Sequence, residues 1–204
     1  MTPGIAVPSL TGRRVHLEPL ASGHSAALVE AASEDRSTYA FTVVPQGHDA
    51  MSAYVEELLG DFDRGLVVPF VQVDATTDRV VGMTRFLTLR SRPGQSVPYA
   101  VEIGGTWLAA SAQRSGINTE AKLLLLTHAF DRWSVARVDI KTDDRNERAK
   151  AAIVRLGASF EGVLRRWQPS QVVGEESAYR NTAMYSIIED DWPAVAPKLI
   201  ALIR

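Results

Sequence analysis

The sequence predicts a single α/β domain built on a mixed, mostly antiparallel sheet flanked by helices, and three observations carry that reading. Strand-type segments joined by turns fill the stretch from Val67 to Leu108. From Gln113 onward the rhythm changes to alternating helix and strand, as a crossover βαβ unit requires. No internal repeat, low-complexity tract or Gly/Ser/Pro-rich linker divides the 204 residues, so the domain is placed at 11–202 with 1–10 as an N-terminal extension. That length suits one domain with a substantial core.

Each element has its own signal. Arg14-Val15-His16-Leu17-Glu18 alternates polar and apolar residues and reads as a strand. Ser22 stands before Ala26, Ala27, Leu28 and Ala31, which suits a capped helix. Met51, Val55, Leu58, Leu59 and Phe62 recur at helical spacing between Asp49 and Asp63, and Gly65 closes that helix. Val67 to Val73 and Val80 to Leu89 are strands around the turn Thr76-Thr77-Asp78. Tyr99 to Leu108 is a further strand, interrupted by Gly104-Gly105 as a bulge or a close backbone approach would be. Thr119 to Arg132 is an apolar-rich helix and Val135 to Thr142 a strand. Ala149, Ala152, Ile153 and Leu156 stripe a helix that Gly157 ends. Strands at Ser159 to Arg166 and near Thr182 to Ile188 precede a last helix opened by Asp191 and Pro193.

Composition narrows the function. The chain is 46% hydrophobic and 23% charged with a net charge of -2, ordinary for a globular protein and unlike the basic profile of a nucleic-acid binder. There is no cysteine, which excludes disulfides, zinc-thiolate sites and a cysteine nucleophile. His16, His24, His48 and His128 are scattered without metal-ligand spacing, so no metal is expected. Met1 to Leu10 lacks the charged start and apolar core of a signal peptide. No apolar run approaches a membrane span. A cytoplasmic protein with no membrane or nucleic-acid partner is expected.

The most informative stretch is Gln113-Arg114-Ser115-Gly116-Ile117-Asn118-Thr119, which follows a strand and opens a helix. Backbone N–H groups in such a turn converge on an anion, helped by the helix N-terminus, with Arg114 and Lys122 as candidates to meet phosphate charge. Mechanism alone also admits an ordinary polar turn. Around it, Glu102-Ile103-Gly104-Gly105-Thr106-Trp107-Leu108, then Lys141-Thr142-Asp143 with Asn146, Arg155-Leu156-Gly157-Ala158 and Glu161-Gly162-Val163-Leu164-Arg165 follow in order. Together these segments resemble the GNAT superfamily of N-acyltransferases, specifically its RimJ/RimL-like branch. Looser likeness at Tyr185-Ser186-Ile187 and Asp191-Trp192-Pro193 extends the match over nearly the whole chain.

The resemblance implies a GNAT-like sheet with a splayed central strand pair and acetyl-CoA as acyl donor. It implies a pyrophosphate cradle formed by Gln113, Arg114, Ser115, Gly116, Ile117, Asn118 and Thr119, with Asn118 where many members carry glycine. The pantetheine arm would lie in the splay and pair with the backbone of Thr106, Trp107 and Leu108. Asn146 matches the asparagine that hydrogen-bonds the coenzyme, and equally suits a cap for the helix beginning near Glu147.

Acyl transfer to an amine whose pKa lies near 10 benefits from a base. Glu102 is the candidate base, against a strand glutamate that faces solvent or pairs with Arg85. Tyr185 is the candidate acid for the thiolate, against a packing tyrosine. The Leu108 N–H is the candidate oxyanion donor. The chain departs from RimL-like enzymes at Ala149, where they carry serine, and at Gln168, where they carry glutamate. Those departures point away from ribosomal-protein N-termini and toward a small-molecule amine or another peptide amine. The resulting expectation is transfer of acetyl to a primary amine by direct attack in a ternary complex. Alternatives are a non-catalytic acyl-CoA sensor and a transferase using a longer donor such as succinyl-CoA. The loops Ser33 to His48 and Arg90 to Pro98 are expected to shape the acceptor site, and the assembly admits a homodimer. A dinucleotide-binding Rossmann domain is disfavoured because no G-x-G-x-x-G follows an early strand.

Overall fold

A computed structural model describes residue 5 and residues 7–203; the other positions of the N-terminal extension, 1–4 and 6, lie outside the described residues. In chain order the elements are β1 (Leu10–Thr11), β2 (Val15–Pro19), α1 (Ser25–Ala32), α2 (His48–Asp63), β3 (Val67–Asp74), β4 (Arg79–Arg90), β5 (Ala100–Leu108), α3 (Ile117–Thr127), β6 (Arg137–Asp143), α4 (Glu147–Arg155), β7 (Ser159–Pro169), β8 (Tyr179–Ile188) and α5 (Trp192–Ile203). The strands form one sheet in the order β1-β2-β3-β4-β5-β6-β8-β7. Among the described residues only the β5–β6 pair is parallel. Among them, too, no helix is long and apolar enough to cross a membrane.

Side-chain alternation on β4 shows how the sheet is covered. Thr84 meets Lys122 of α3, and Phe86 packs on Trp133 with ring centroids 4.7 Å apart. Arg85 points to the other face and donates to the Tyr54 hydroxyl of α2 at 2.7 Å. The sheet is therefore sandwiched between the α1/α2 layer and the α3 layer, with β3 and β4 buried on both faces. That double burial explains why Val67 to Val73 reads as a nearly continuous apolar run and not an alternating one.

Two local features differ from the sequence pattern. The predicted Thr119-to-Arg132 helix changes character at His128, and its last turn, His128–Arg132, is a π turn that sets His128 edge-on against Trp133. The helix expected after Ser22 begins at Ser25, because Ser22–His24 forms a separate tight turn in which His24 Nδ1 accepts from the Ala21 N–H. Glu120, buried on α3, accepts from the N–H groups of Arg13, Arg14 and Val15 at 3.0, 2.6 and 3.0 Å. One side chain thus ties the start of β2 to the helix that follows the cradle loop.

Candidate active site

The ladder between β5 and β6 holds only Ala100↔Arg137, Val101↔Val138 and Glu102↔Asp139. Beyond Glu102 the two strands part, as expected of the splayed pair. On the other side of β5, Arg85 faces Gly104 and Met83 faces Trp107, so Gly105 and Thr106 together oppose Thr84 alone. This is a β-bulge, which turns the strand. Gly105 has φ +57, which favours glycine, and a Cβ there would lie 2.6 Å from the Arg85 guanidinium carbon, so that side chain would have to move. The Ala109 N–H returns to the Val81 carbonyl at 2.7 Å. Alternation then turns the Leu108 N–H away from β4, toward the gap that β6 leaves. The Leu108 carbonyl accepts from Gln113 Nε2 at 3.1 Å and from the Tyr39 hydroxyl at 3.2 Å.

Lys122 does not reach the phosphate loop. It lies beneath the bulge, donating to Thr106 Oγ1 at 2.5 Å and Thr84 Oγ1 at 3.1 Å, and those two hydroxyls are themselves 2.9 Å apart. The turn of α3 carries position 122 inward beside Leu126. Burial without a carboxylate partner pulls its pKa down to about 7.

The loop Gln113 to Thr119 turns sharply into α3. Arg114 has φ +62 and Gly116 φ +92, and Gly116 caps α3. Among the described residues the N–H groups of Arg114, Ser115, Gly116, Asn118 and Thr119 have no protein acceptor, whereas the Ile117 N–H reaches Ser115 Oγ at 3.3 Å. Unsatisfied donors at a helix N-terminus carry partial positive charge. Asn118 Oδ1 is buried and unpartnered beside them. Arg14, which no sequence signal singles out, lies over Gly116: a Cβ at that glycine would be 3.3 Å from Arg14 Cδ. Arg148 of α4 closes the other side, donating to Gln113 Oε1 at 3.1 Å and the Thr38 carbonyl at 2.8 Å.

Asn146 caps α4, its Oδ1 accepting from the Ala149 N–H at 3.0 Å. Asn146→Ala is therefore expected to cost about 1 kcal/mol of stability, the usual value of such a cap. A shift of the urea midpoint checks it, and an unchanged midpoint would show the cap to be idle.

Glu102 is 4% exposed and neither faces solvent nor pairs with Arg85. Its Oε2 accepts from Lys141 Nζ at 2.9 Å and Thr88 Oγ1 at 3.2 Å. Tyr185 lies opposite Ile140, hence on the other face of the sheet from Glu102, and its ring packs on Phe160 at 5.2 Å. The two candidate groups therefore flank the sheet from opposite sides near the gap. Gln168 sits opposite Arg180 in the β7–β8 ladder. The loop Arg90 to Pro98 lines a cavity of about 610 Å³ at the N-terminal ends of β5 and β6, bounded also by Trp133 and Glu189.

Register places Glu102, Asp139, Lys141, Asp143, Thr182 and Ser186 on one face. Asp143 is held below the usual carboxylate range by hydrogen bonds from Arg145, whose guanidinium also holds Glu175 at 2.8 Å. This charged floor is not legible from composition, since it depends on which strands become neighbours.

Comparison with known proteins agrees with this geometry. The family described as acetyltransferase (GNAT) domain matches residues 14–159. The chain is similar to a candidate acetyltransferase of T. thermophilus, with 31% identity over 98% of this chain and 99% of that one and a TM-score of 0.81. It shares its fold with a GCN5-related N-acetyltransferase from Brucella melitensis (23% identity, 100% and 90% coverage, TM-score 0.84). The fold is also that of Mycobacterium smegmatis RimJ in complex with CoA-disulfide (22% identity, 92% and 88% coverage, TM-score 0.75). Among curated proteins no sequence matches.

Proposed function

The chain belongs to the acetyltransferase (GNAT) family, and we propose that it transfers the acetyl group of acetyl-CoA to a primary amine by direct attack in a ternary complex. The observation that carries this is the parting of β5 from β6 after Glu102↔Asp139, with a loop of unpaired N–H donors beyond it. The pantetheine arm is an extended chain carrying amides that would pair with the open edge at Thr106 to Leu108. The pyrophosphate would rest on the N–H groups of Arg114 to Thr119, with Arg14 and Arg148 beside it.

The amine nitrogen attacks the thioester carbonyl, the developing oxyanion is met by the Leu108 N–H, and the carbon–sulfur bond breaks. Glu102 takes the proton the amine must lose, directly or through water, and Tyr185 supplies one to the departing thiolate. With no cysteine in the chain, a ternary complex is favoured over a cysteine acyl-enzyme. The engagement of Glu102 by Lys141 is the one observation that favours a non-catalytic acyl-CoA sensor. Coenzyme A release with a panel of amines separates the two, since a sensor would bind without turnover. Exposed Phe160, Val163 and Trp167 on the edge strand β7 support a homodimer. A cytoplasmic setting belongs to the same proposal.

Calorimetry should show stoichiometric binding of acetyl-CoA and none of NAD. Gly116→Asp should abolish acetyl-CoA binding, because φ +92 disfavours a side chain and the new carboxylate would face the pyrophosphate. Tight NAD binding without acetyl-CoA binding would refute the assignment.

A further inference from the structure

The polar face that β6 and β8 present beside the slot carries one charge that the coenzyme chemistry leaves unused. Its other charges are matched. Lys141 pairs with Glu102 at 2.9 Å, and Arg145 is shared between Asp143 and Glu175 at 2.8 Å each. Arg180, on β8, is 7% exposed yet forms no ion pair among the described residues. Its Nε donates to Thr182 Oγ1 at 3.2 Å and its Nη1 to Gln171 Oε1 at 3.3 Å, both long contacts to neutral oxygens. Its Nη2 has no acceptor among the described residues and is not fully buried. Asp143 and Glu102 act on it from a distance, but holding a guanidinium out of water with no anion in direct contact is costly. Such a cost is recovered when the missing anion arrives with a ligand.

We propose that Arg180 receives a carboxylate of the acceptor, so that the preferred substrates are amines bearing a nearby carboxylate, as in an amino acid or a short acidic peptide. The proposal rests on the transferase reading of the slot and deepens it. Three features select this chemistry. The planar fork of arginine matches a carboxylate through paired N–H groups, which a lysine would not do. A carboxylate suits the site better than a phosphate dianion, because Glu102 and Asp143 act on Arg180 and a doubly charged ligand meets more repulsion from them. And Glu102, on the same face, offers a negative group to the ammonium end of a zwitterion whose carboxylate lies on Arg180. The side chain of Arg180 bends along β8 toward Thr182, which is opposite Asp143 on β6, and thus toward the Lys141–Glu102 pair.

The test compares matched acceptors by coenzyme A release: alanine against alaninamide, and Ala-Asp-amide against Ala-Asn-amide. The carboxylate member of at least one pair should be preferred in kcat/KM by about tenfold to a hundredfold, the scale of a charge-assisted hydrogen bond. Which pair shows the preference identifies a main-chain or a side-chain carboxylate. In Arg180→Met the preference should collapse toward one, and Arg180→Lys should restore part of it. A second arm needs neither turnover nor a variant. In the presence of coenzyme A, N-acetylalanine or N-acetyl-Ala-Asp-amide should bind the protein in calorimetry, and the uncharged partner of the one that binds should not. Equal use of both members of each pair, or equal or absent binding of the charged and uncharged products, overturns the proposal. Failure of every amine to release coenzyme A would instead overturn the transferase reading, while the binding arm would still decide the role of Arg180.

Discussion

Glu102→Gln is expected to lower acetyl transfer by about 10²–10⁴-fold, the loss that follows removal of a general base, with coenzyme affinity nearly intact. The side chain lies where β5 and β6 last pair, at the mouth of the gap. Its carboxylate accepts from Lys141 and Thr88, and on the proposed mechanism it would receive the proton of the incoming amine. Glutamine keeps the shape but cannot take the proton. It also leaves Lys141 without its counter-charge, so a control is needed. Lys141→Met breaks the same ion pair and retains the carboxylate, and it should depress the rate far less. A matching loss in both variants, or an unchanged rate and pH profile in Glu102→Gln, would assign Glu102 to structure alone.

Lys122→Met is expected to stabilise the protein at neutral pH and to remove a pH dependence that the parent shows. With its pKa depressed to about 7 in the folded chain, Lys122 is charged in both folded and unfolded states below that pH, and the folded state then bears the whole cost of a buried cation. Between about 7 and the ordinary lysine value the unfolded chain binds more protons, so stability rises with pH by up to about 1.4 kcal/mol per unit. Above that window the lysine is neutral in both states and the cost is gone. Methionine fills similar space without charge, and Thr84 and Thr106 still have each other at 2.9 Å. The gain should reach at most about 4 kcal/mol near pH 7 and shrink toward pH 10. Urea unfolding of both proteins from pH 6 to 10 measures it. Parallel stability curves would show that Lys122 does not titrate in this range.

Much of the scaffold is readable because it follows from local patterning. The Gly104-Gly105 pair announces the bulge, and the polar turn at Gln113 to Thr119 announces a helix entry whose amides are unpaired. The sequence leaves Asn146 open between ligand and cap, and the contact to the Ala149 N–H makes the cap a fact while leaving its amide nitrogen to the proposal. What escapes depends on the third dimension. A lysine near a phosphate loop faces anions by default, yet helical spacing carries Lys122 to the buried side with Leu126. Arg85 is the natural strand partner for Glu102, but it is committed to Tyr54 and to the space over Gly105. Arg14 and Arg180 reach their places only because β2 is pinned to α3 by Glu120 and β8 lies between β6 and β7. No one-dimensional signal encodes that neighbourhood.

The brevity of the β5–β6 ladder has a mechanical consequence. Three paired positions make the seam between β1 to β5 and β6 to β8 a short one within the sheet. The other strand pairings lie within one half or the other, so a wedge-shaped ligand would enter between them without breaking those ladders. The cost of admission is then mostly desolvation of edge amides that already lack partners. An extended ligand seated there, as proposed, would act as the missing rung and couple the two halves, and the melting temperature should rise with its concentration by mass action. In the free protein the open edge should exchange its amide hydrogens early, and the same amides should gain the largest protection when the slot is filled.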